Sequence, residues 1–469
     1  MLCPIKYGRF VLVTIIVLIY YNVLGSETAS KVTVSSITIS GNKHTNEIIV
    51  LRELTFKLGD TINVTEIPLR TKESKENLEN TLLFNFVVLN VVQNNDSILI
   101  DIHLDERWYI WPFPIFEYAD RNLSSFIKEG DYRRINYGGY IRIDNFRGMG
   151  DQIRFRIIGG YRQLIGLQYS TRNLDRLKRH GVTASVTYHA NYEVPFASNN
   201  NKPVYFNTHN GRARWIFHTE FSYQYRPKHN WYHSISIGSL LAGINDTIAK
   251  LNPNYFGDSK THFAINQVRY EITLDKRNSK VFPLSGYVGR VEVARQGITP
   301  NESIKLWYTK VSGGYYTKLF SRTYGGVDFL VKQSSESNLP YFLNEAIGFK
   351  DYIRGYEYYI TNGSGFLINK NSLKFELIPT KVVNLPLIPD GKFKKTHLSV
   401  YWSLFADTGY VKPDKLTPNN NLEGKLLYGF GSGLYLFAYY DIVFRVEYSV
   451  NIFGEGGIFI HFGSPFLNN

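Results

Sequence analysis

From Arg107 onward, apolar and polar residues alternate along the chain with a period of two. VTASVTYHA places Ser185, Thr187 and His189 on one side and Ala184, Val186 and Tyr188 on the other. FHTEFSYQY sets His218, Glu220, Ser222 and Gln224 against Phe217, Phe221, Tyr223 and Tyr225. SLKFEL separates Lys374 and Glu376 from Leu373, Phe375 and Leu377, and FRVEYSV separates Arg445, Glu447 and Ser449 from Phe444, Val446, Tyr448 and Val450. Such segments are strands of a sheet with one wet and one greasy face. About sixteen of them follow one another, joined by linkers rich in Asn, Gly, Lys and Pro, such as FASNNNKP and KPDKLTPNNNLEG. A soluble sandwich alternates in the same way with its greasy side inward, but a sheet this wide must close on itself to escape open edges. The pattern therefore predicts an antiparallel transmembrane β-barrel over residues 107–469, polar toward the lumen and aromatic toward lipid. GIFIHFGSPF, with Gly457, Phe459, His461, Phe462 and Phe466, is expected to be the closing strand, its aromatics outward.

Residues 32–106 are patterned differently. VSSITIS (Val34–Ser40) reads as a strand ended by Gly41-Asn42, and Thr45 or Asn46 can cap a helix through EIIVLREL with Ile48 and Leu51 on one face. After Gly59-Asp60, a second helix is expected from about Leu69 to Leu83, with Leu78 and Leu82 four apart. FVVLNVVQ and SILIDIHLDE then form two strands around an Asn-Asn-Asp turn. The order β-α-α-β-β is that of a small α+β domain.

The first residues add a location. Lys6 and Arg9 precede the apolar run Phe10–Leu24, and Gly25 and Ser26 follow it. This is the pattern of a secretory signal peptide over residues 1–26, the alternative being a short membrane anchor. Cys3, the only cysteine, falls inside that segment. The mature chain is thus expected to hold no disulfide, thiol nucleophile or cysteine-ligated metal. Aromatics make up 15% of the chain, with 35 tyrosines, in keeping with a membrane barrel. The net charge of +13 would favour acidic partners or lipid headgroups, or reflects a Lys- and Asn-rich bias. No HExxH, cysteine cluster or GxSxG elbow is present, and no carboxylate pair stands isolated on an apolar background. GFGSGL lies in a strand without a following helix, which suits close packing or strand bending, not phosphate binding. Basic and aromatic residues interleave on the barrel pattern, which argues against nucleic acid as a partner. The expectation is a non-enzyme with no cofactor and no metal.

One stretch resists the pattern: GFKDYIRGYEYYITNGSG sets a single arginine, Arg354, before Gly355 in an aromatic run. Taken alone it is a solvated loop. Its place among other motifs gives it another sense. DKRNSKVFPLSG resembles the strand-end motif of the Omp85 superfamily at Asp275, Arg277, Phe282, Pro283 and Gly286. IRGY, at Ile353–Tyr356, is similar to that family's sixth-loop signature, and FADTGYV resembles the strand element that follows it. The domain at 32–106, with ITISGNKHTNEIIVLRELTFKLGD, looks like a single POTRA domain. The motifs occur in the family's order across nearly the whole mature chain. The resemblance, to outer-membrane assembly proteins of the BamA, TamA and surface antigen D15 type, implies a 16-stranded barrel in the bacterial outer membrane with the POTRA domain in the periplasm. It implies that Arg354, with Gly355 and Tyr356, folds into the lumen and pairs with Asp407. It implies unfolded outer-membrane or secreted protein clients, outer-membrane lipid and accessory lipoproteins as partners. Assembly of other barrels through a weak first-to-last strand seam is the leading expectation. A two-partner secretion translocator and a passive pore or scaffold are the alternatives.

Overall fold

The computed structural model describes residues 30–118, 135–172, 174–175, 177, 179–208, 211–384, 395–413, 420–438 and 442–462. The signal-peptide expectation and Phe466 lie outside these residues. The N-terminal domain runs β1 (Lys31–Ser40), α1 (Glu47–Glu53), β2 (Thr61–Asn63), α2 (Ile67–Glu79), β3 (Phe84–Asn94) and β4 (Ser97–Glu106). Its sheet order is β2-β1-β4-β3, with β1 and β4 parallel and the other pairs antiparallel. The two helices cover one face and close a core of Val32, Val34, Val50, Phe56, Leu78 and Ile100.

Three details differ from the sequence expectation. A short strand, β2, is added, pairing with Lys31–Thr33. In α1 the buried side holds Ile49, Val50 and Glu53, while Ile48 and Leu51 are exposed. Asn46 supplies the cap by accepting from the Ile48 amide, so Thr45 is free to turn inward and donate to Glu106 at 2.6 Å. That register places the helix's greasy side one residue from the expected one. The second helix ends at Glu79, so Leu78 is buried but Leu82 lies beyond it, exposed, with φ +61°. The whole length of β3 is a sheet edge, and β2 shields only the start of β1.

The second body is an antiparallel meander rolled into a barrel. Its first strands are β5 (Ile110–Tyr118), β6 (Ile135–Asp144), β7 (Gln152–Gly160), β8 (Arg162–Thr171) and β9 (His180–Asn191). A separate hairpin, β10 (Glu193–Asn199) and β11 (Lys202–Asn207), interrupts the sequence where FASNNNKP suggested only a linker. The meander resumes with β12 (Arg214–Lys228) and β13 (Trp231–Ile244). A short helix, α3 (Asp246–Leu251), precedes β14 (His262–Asp275), β15 (Gly286–Gln296), β16 (Leu306–Phe320) and β17 (Thr323–Ser334). The last five strands are β18 (Gly365–Asn384), β19 (Lys395–Lys412), β20 (Leu426–Ala438), β21 (Ile442–Asn451) and β22 (Gly456–Phe462). Sixteen strands form one sheet, each paired with its neighbours in the chain once the inserted hairpin is set aside. Alternation does what the sequence asked of it: Phe221, Ile237, Tyr315 and Tyr448 project outward, while Ser222, Ser236, Glu447 and Ser449 are buried on the lumenal side. No described helix is long and apolar enough to cross a membrane, and the crossing is made by strands.

The last strand corrects one expectation. Phe459 does not face outward; it is buried on the lumenal side, 5.3 Å from the ring of Tyr358, and Ile458 takes the lipid side. The cause is the sixth extracellular loop, which brings aromatic surface to the inner wall and gives Phe459 a partner there. Among the described residues no ladder joins β5 to β22.

The small domain sits against the periplasmic rim of the barrel. Arg226, near the end of β12, holds Glu53 of α1 through two bonds of 2.6 and 2.8 Å. His229 bonds the Arg52 carbonyl at 2.6 Å, and the turn after β6 receives His44 and Asn46 at 2.7 and 2.9 Å through the carbonyls of Asn145 and Gly148. Lys280, in the turn after β14, reaches Asn80 at 3.3 Å. On the far side Phe86 meets His397, ring to ring at 4.8 Å. The domain thus spans several turns of the barrel mouth.

Candidate functional site

The loop between β17 and β18 folds back into the lumen and carries Arg354 to the inner wall, where the residue is 2% exposed. Its Nε donates to Asp407 Oδ2 at 2.8 Å and its Nη2 to Oδ1 at 2.5 Å, and the Arg354 amide adds a third bond to Oδ2 at 3.2 Å. Asp407 stands on β19 and is itself 1% exposed. The guanidinium lies 3.9 Å from the centre of the Phe405 ring, two residues away on the same wall. A planar cation that is gripped in two places and stacked on a ring is an arrangement only arginine provides.

A second ion pair completes the set. On β21, Arg445 donates to both oxygens of Glu447 at 3.0 Å, and Glu447 also lies 3.8 Å from Arg354. Tyr435 of β20 donates to Glu447 at 2.6 Å and accepts from Arg354 at 3.3 Å. Two cations and two carboxylates therefore cancel in a place where an unpaired charge would be costly.

The backbone makes room for this. Gly355 has φ +90°, and a Cβ there would meet the Val450 carbonyl at 2.9 Å. A Cβ on Gly429 of β20 would sit 1.8 Å from the Arg354 carbonyl oxygen, and one on Gly431 would sit 2.7 Å from the Phe405 ring. The glycines of GFGSG are the floor on which the loop lies. Tyr356 is buried, its amide donating to the Ile353 carbonyl at 3.1 Å, and it closes the turn.

The strand-end motif fills the lumen from the other side. Asp275 and Arg277 form a buried two-pronged pair, at 2.9 and 2.7 Å. In the segment after them Phe282 folds inward, 5.0 Å from the Tyr401 ring and 6.4 Å from that of Tyr435. Lys374 pins it by donating to the Pro283 carbonyl at 3.2 Å with its ammonium 4.8 Å from the Phe282 ring. Gly286 returns the chain to β15 with φ +94°, where a Cβ would strike the Lys276 carbonyl at 2.0 Å. Tyr435 links the two inward folds, because it touches Phe282 below and Arg354 above.

In the last strand, His461 lies 3.4 Å from Glu357 of the loop and 3.6 Å from Glu447. The ligand atoms of these three lie within 4.8 Å of one another, but Glu447 is already committed to Arg445 and Tyr435, which leaves a poor donor set for a cation. Gly457 is beside Phe459, and Phe462 ends β22.

Sequence reasoning missed Tyr435, Phe405, Lys374 and Glu447 as partners, along with a second anchor at the loop's outer end. There Asn201, at the tip of the β10–β11 hairpin with φ +59°, is 1% exposed and donates to the Ile360 carbonyl at 3.2 Å and to Glu423 at 3.1 Å. Glu423 in turn accepts from the Asn362 amide at 3.0 Å. The available signal was the Asn-Asn pair, which tolerates a left-handed turn and so marks a hairpin tip.

A small α+β domain on the rim of a sixteen-stranded barrel, with a loop arginine locked to the inner wall, defines a POTRA-plus-barrel protein of the outer membrane. Residues 145–438 match the Omp85 superfamily domain, and residues 32–107 match the POTRA domain described as surface antigen variable number repeat. The chain belongs to the Omp85 superfamily. It is similar in structure to BamA from Haemophilus ducreyi lacking POTRA domains 1–3, with 15% identity and a TM-score of 0.52, over 92% of this chain and 83% of that one. CdiB from Escherichia coli is similar at 11% identity and a TM-score of 0.54, over 92% and 75%. CdiB from Acinetobacter baumannii gives 12% and 0.52, over 92% and 74%. At these identities the likeness is one of fold. No curated protein matches the chain. The barrel belongs to the bacterial outer membrane with its POTRA domain in the periplasm, in a family of non-enzymatic transporters and assembly factors.

Proposed function

We propose that this protein assists the folding and insertion of other β-barrel proteins into the outer membrane, receiving their strands at the seam between β5 and β22. The observation that carries this reading is the chemistry of β5. Its WPFPIF stretch holds Pro112 and Pro114, two positions apart and therefore presenting the same edge. The ladder to β6 is unbroken across both prolines, from Ile110↔Ile143 to Tyr118↔Ile135. The missing N–H groups thus fall on the side away from β6, which is the seam. A seam short of two donors is cheap to open, and an incoming strand can add to the freed edge of β22. The free edge of β3 offers the POTRA domain the same backbone pairing. Burial of apolar surface in lipid supplies the driving force, so no nucleotide is needed.

The latch built by Arg354, Gly355, Tyr356 and Asp407 holds the sixth loop against β19–β21 next to that seam, and His461 and Phe459 tie β22 to the same loop. In this reading it keeps the C-terminal half of the barrel rigid while the first strand moves. Depletion of the protein followed by quantitative profiling of the outer membrane tests the proposal. Many unrelated barrels should fall together. Loss of one exported protein alone would support a secretion translocator, and an unchanged profile would leave a passive pore.

A further inference from the structure

The column made by Arg354 and Phe282 fills one side of the lumen only. Beside β6–β9 and β12–β14 the barrel is hollow. A cavity of about 750 Å³ lies between the POTRA domain and the barrel's periplasmic end, and another of about 320 Å³ rises from it within the lumen. Gln152, Arg154, Ser170 and Arg172 line both.

Charge is matched on one wall of this hollow and unmatched on the other. On the β12–β15 wall, Arg269 donates to Glu220 at 2.8 Å and Arg290 lies 3.7 Å from Glu271. The lumenal positions of β6 and β7 carry Arg142, Arg154 and Arg156 against one carboxylate, Asp144, which pairs with Arg142 at 2.8 Å. Arg154 is directly opposite Arg142 in the β6–β7 register. Like charges so placed repel unless an anion stands between them. Arg156, one lumenal step further along, lies over the Tyr140 ring at 5.5 Å. Among the described residues no carboxylate is within ion-pairing distance of Arg154 or Arg156. Nothing in the latch or the seam uses these side chains.

We propose that the hollow half of the lumen is a charge filter that admits small solute anions from the periplasm, with Arg154 and Arg156 as its selectivity-determining residues. Uncompensated guanidinium groups in a narrow water-filled space act within one screening length, about 8–10 Å. Low-dielectric walls focus their field and raise the local concentration of counter-ions by roughly tenfold or more. Rings of arginine select anions in pores by the same means. The proposal stands independently of the assembly reading, because it concerns the wall that the latch leaves empty.

The single cysteine makes a direct test possible. A Cys3→Ser, Gln168→Cys variant of the full chain places one thiol on β8, opposite Arg154. In liposomes it is reacted separately with an anionic sulfonate and a cationic trimethylammonium methanethiosulfonate, each rate being normalised to that of a free thiol in solution. The anionic reagent should be favoured about tenfold or more, and 1 M salt, with a screening length of about 3 Å, should collapse the preference. Adding Arg154→Gln and Arg156→Gln should abolish it, and Arg154→Glu with Arg156→Glu should invert it. The salt arm needs neither arginine variant, so misfolding of those variants leaves the proposal testable. Equal normalised rates, a cationic preference, a preference that salt does not change, or a thiol that neither reagent reaches would overturn it.

Discussion

Replacing Arg354 with alanine should free the sixth loop while the barrel remains folded in the membrane. Among the described residues, the change removes the only cation within ion-pairing distance of Asp407 and one of the two guanidinium groups facing Glu447. Stranding a buried charge in this way costs about 3–5 kcal/mol. The cost falls on the loop, since the sixteen-stranded ladder does not pass through Arg354. Amides from Ile347 to Ile360 should therefore exchange with solvent roughly a hundredfold to several thousandfold faster. The heat-modifiable mobility of the barrel should be unchanged. Arg354→Lys should restore only part of the protection, because an ammonium cannot grip both carboxylate oxygens and stack on Phe405. Combining Arg354→Ala with Asp407→Ala should cost less than the sum of the two, the mark of a direct partnership. Unaltered exchange in Arg354→Ala would remove the latch from the account.

The POTRA domain should undock from the barrel rim as the periplasmic side is acidified, and Glu53 should be the reason. Burial works to raise the Glu53 carboxyl, but the charge of Arg226 and its hydrogen bonds, with help from Arg52 and His229, outweigh burial and hold the group below the usual carboxylate range. A carboxylate depressed by its partner contributes fully above its undocked value, about 4.3. That contribution is lost as pH falls through the lower, docked value. Spin-label distances between α1 and the turn after β12 should therefore stay constant from neutral pH to about 5 and lengthen in stronger acid. Glu53→Gln should weaken docking by about 3–5 kcal/mol even at neutral pH, because it leaves Arg226 without its charge partner. It should also flatten the pH response. A response that survives in Glu53→Gln would place the acid-sensitive contact elsewhere.

The barrel was legible in the sequence because period-two alternation is a local signal repeated along the chain, and each strand contributes to it independently. The pairing of Arg354 with Asp407 was legible only through motif order. Nothing local distinguishes Arg354 from a solvated loop arginine, since its partner is 53 residues away. Phe459 was misassigned for a related reason. Alternation gives the two faces of a strand but cannot tell which face a returning loop will cover with aromatic surface. Glu53 was illegible because a helix carboxylate looks like a solvated one until Arg226, 173 residues on, is brought beside it. In α1 the Asn46 cap was among those expected, but the apolar stripe faces the core through Ile49 and Val50, not Ile48 and Leu51. The glycines of GFGSG were read for close packing, and the body that packs there, the Arg354 turn, became visible only in three dimensions.

The proposed function depends on the seam between β5 and β22. A photo-crosslinking side chain placed at Phe116 on β5, at Ile458 on β22, or at the outward-facing Tyr315 on β16 as a reference position, and activated in growing cells, reads it directly. Phe116 and Ile458 should give adducts with several different newly made outer-membrane barrels, and Tyr315 none of these. Adducts that are the same at all three positions, or that contain no barrel protein, would contradict it.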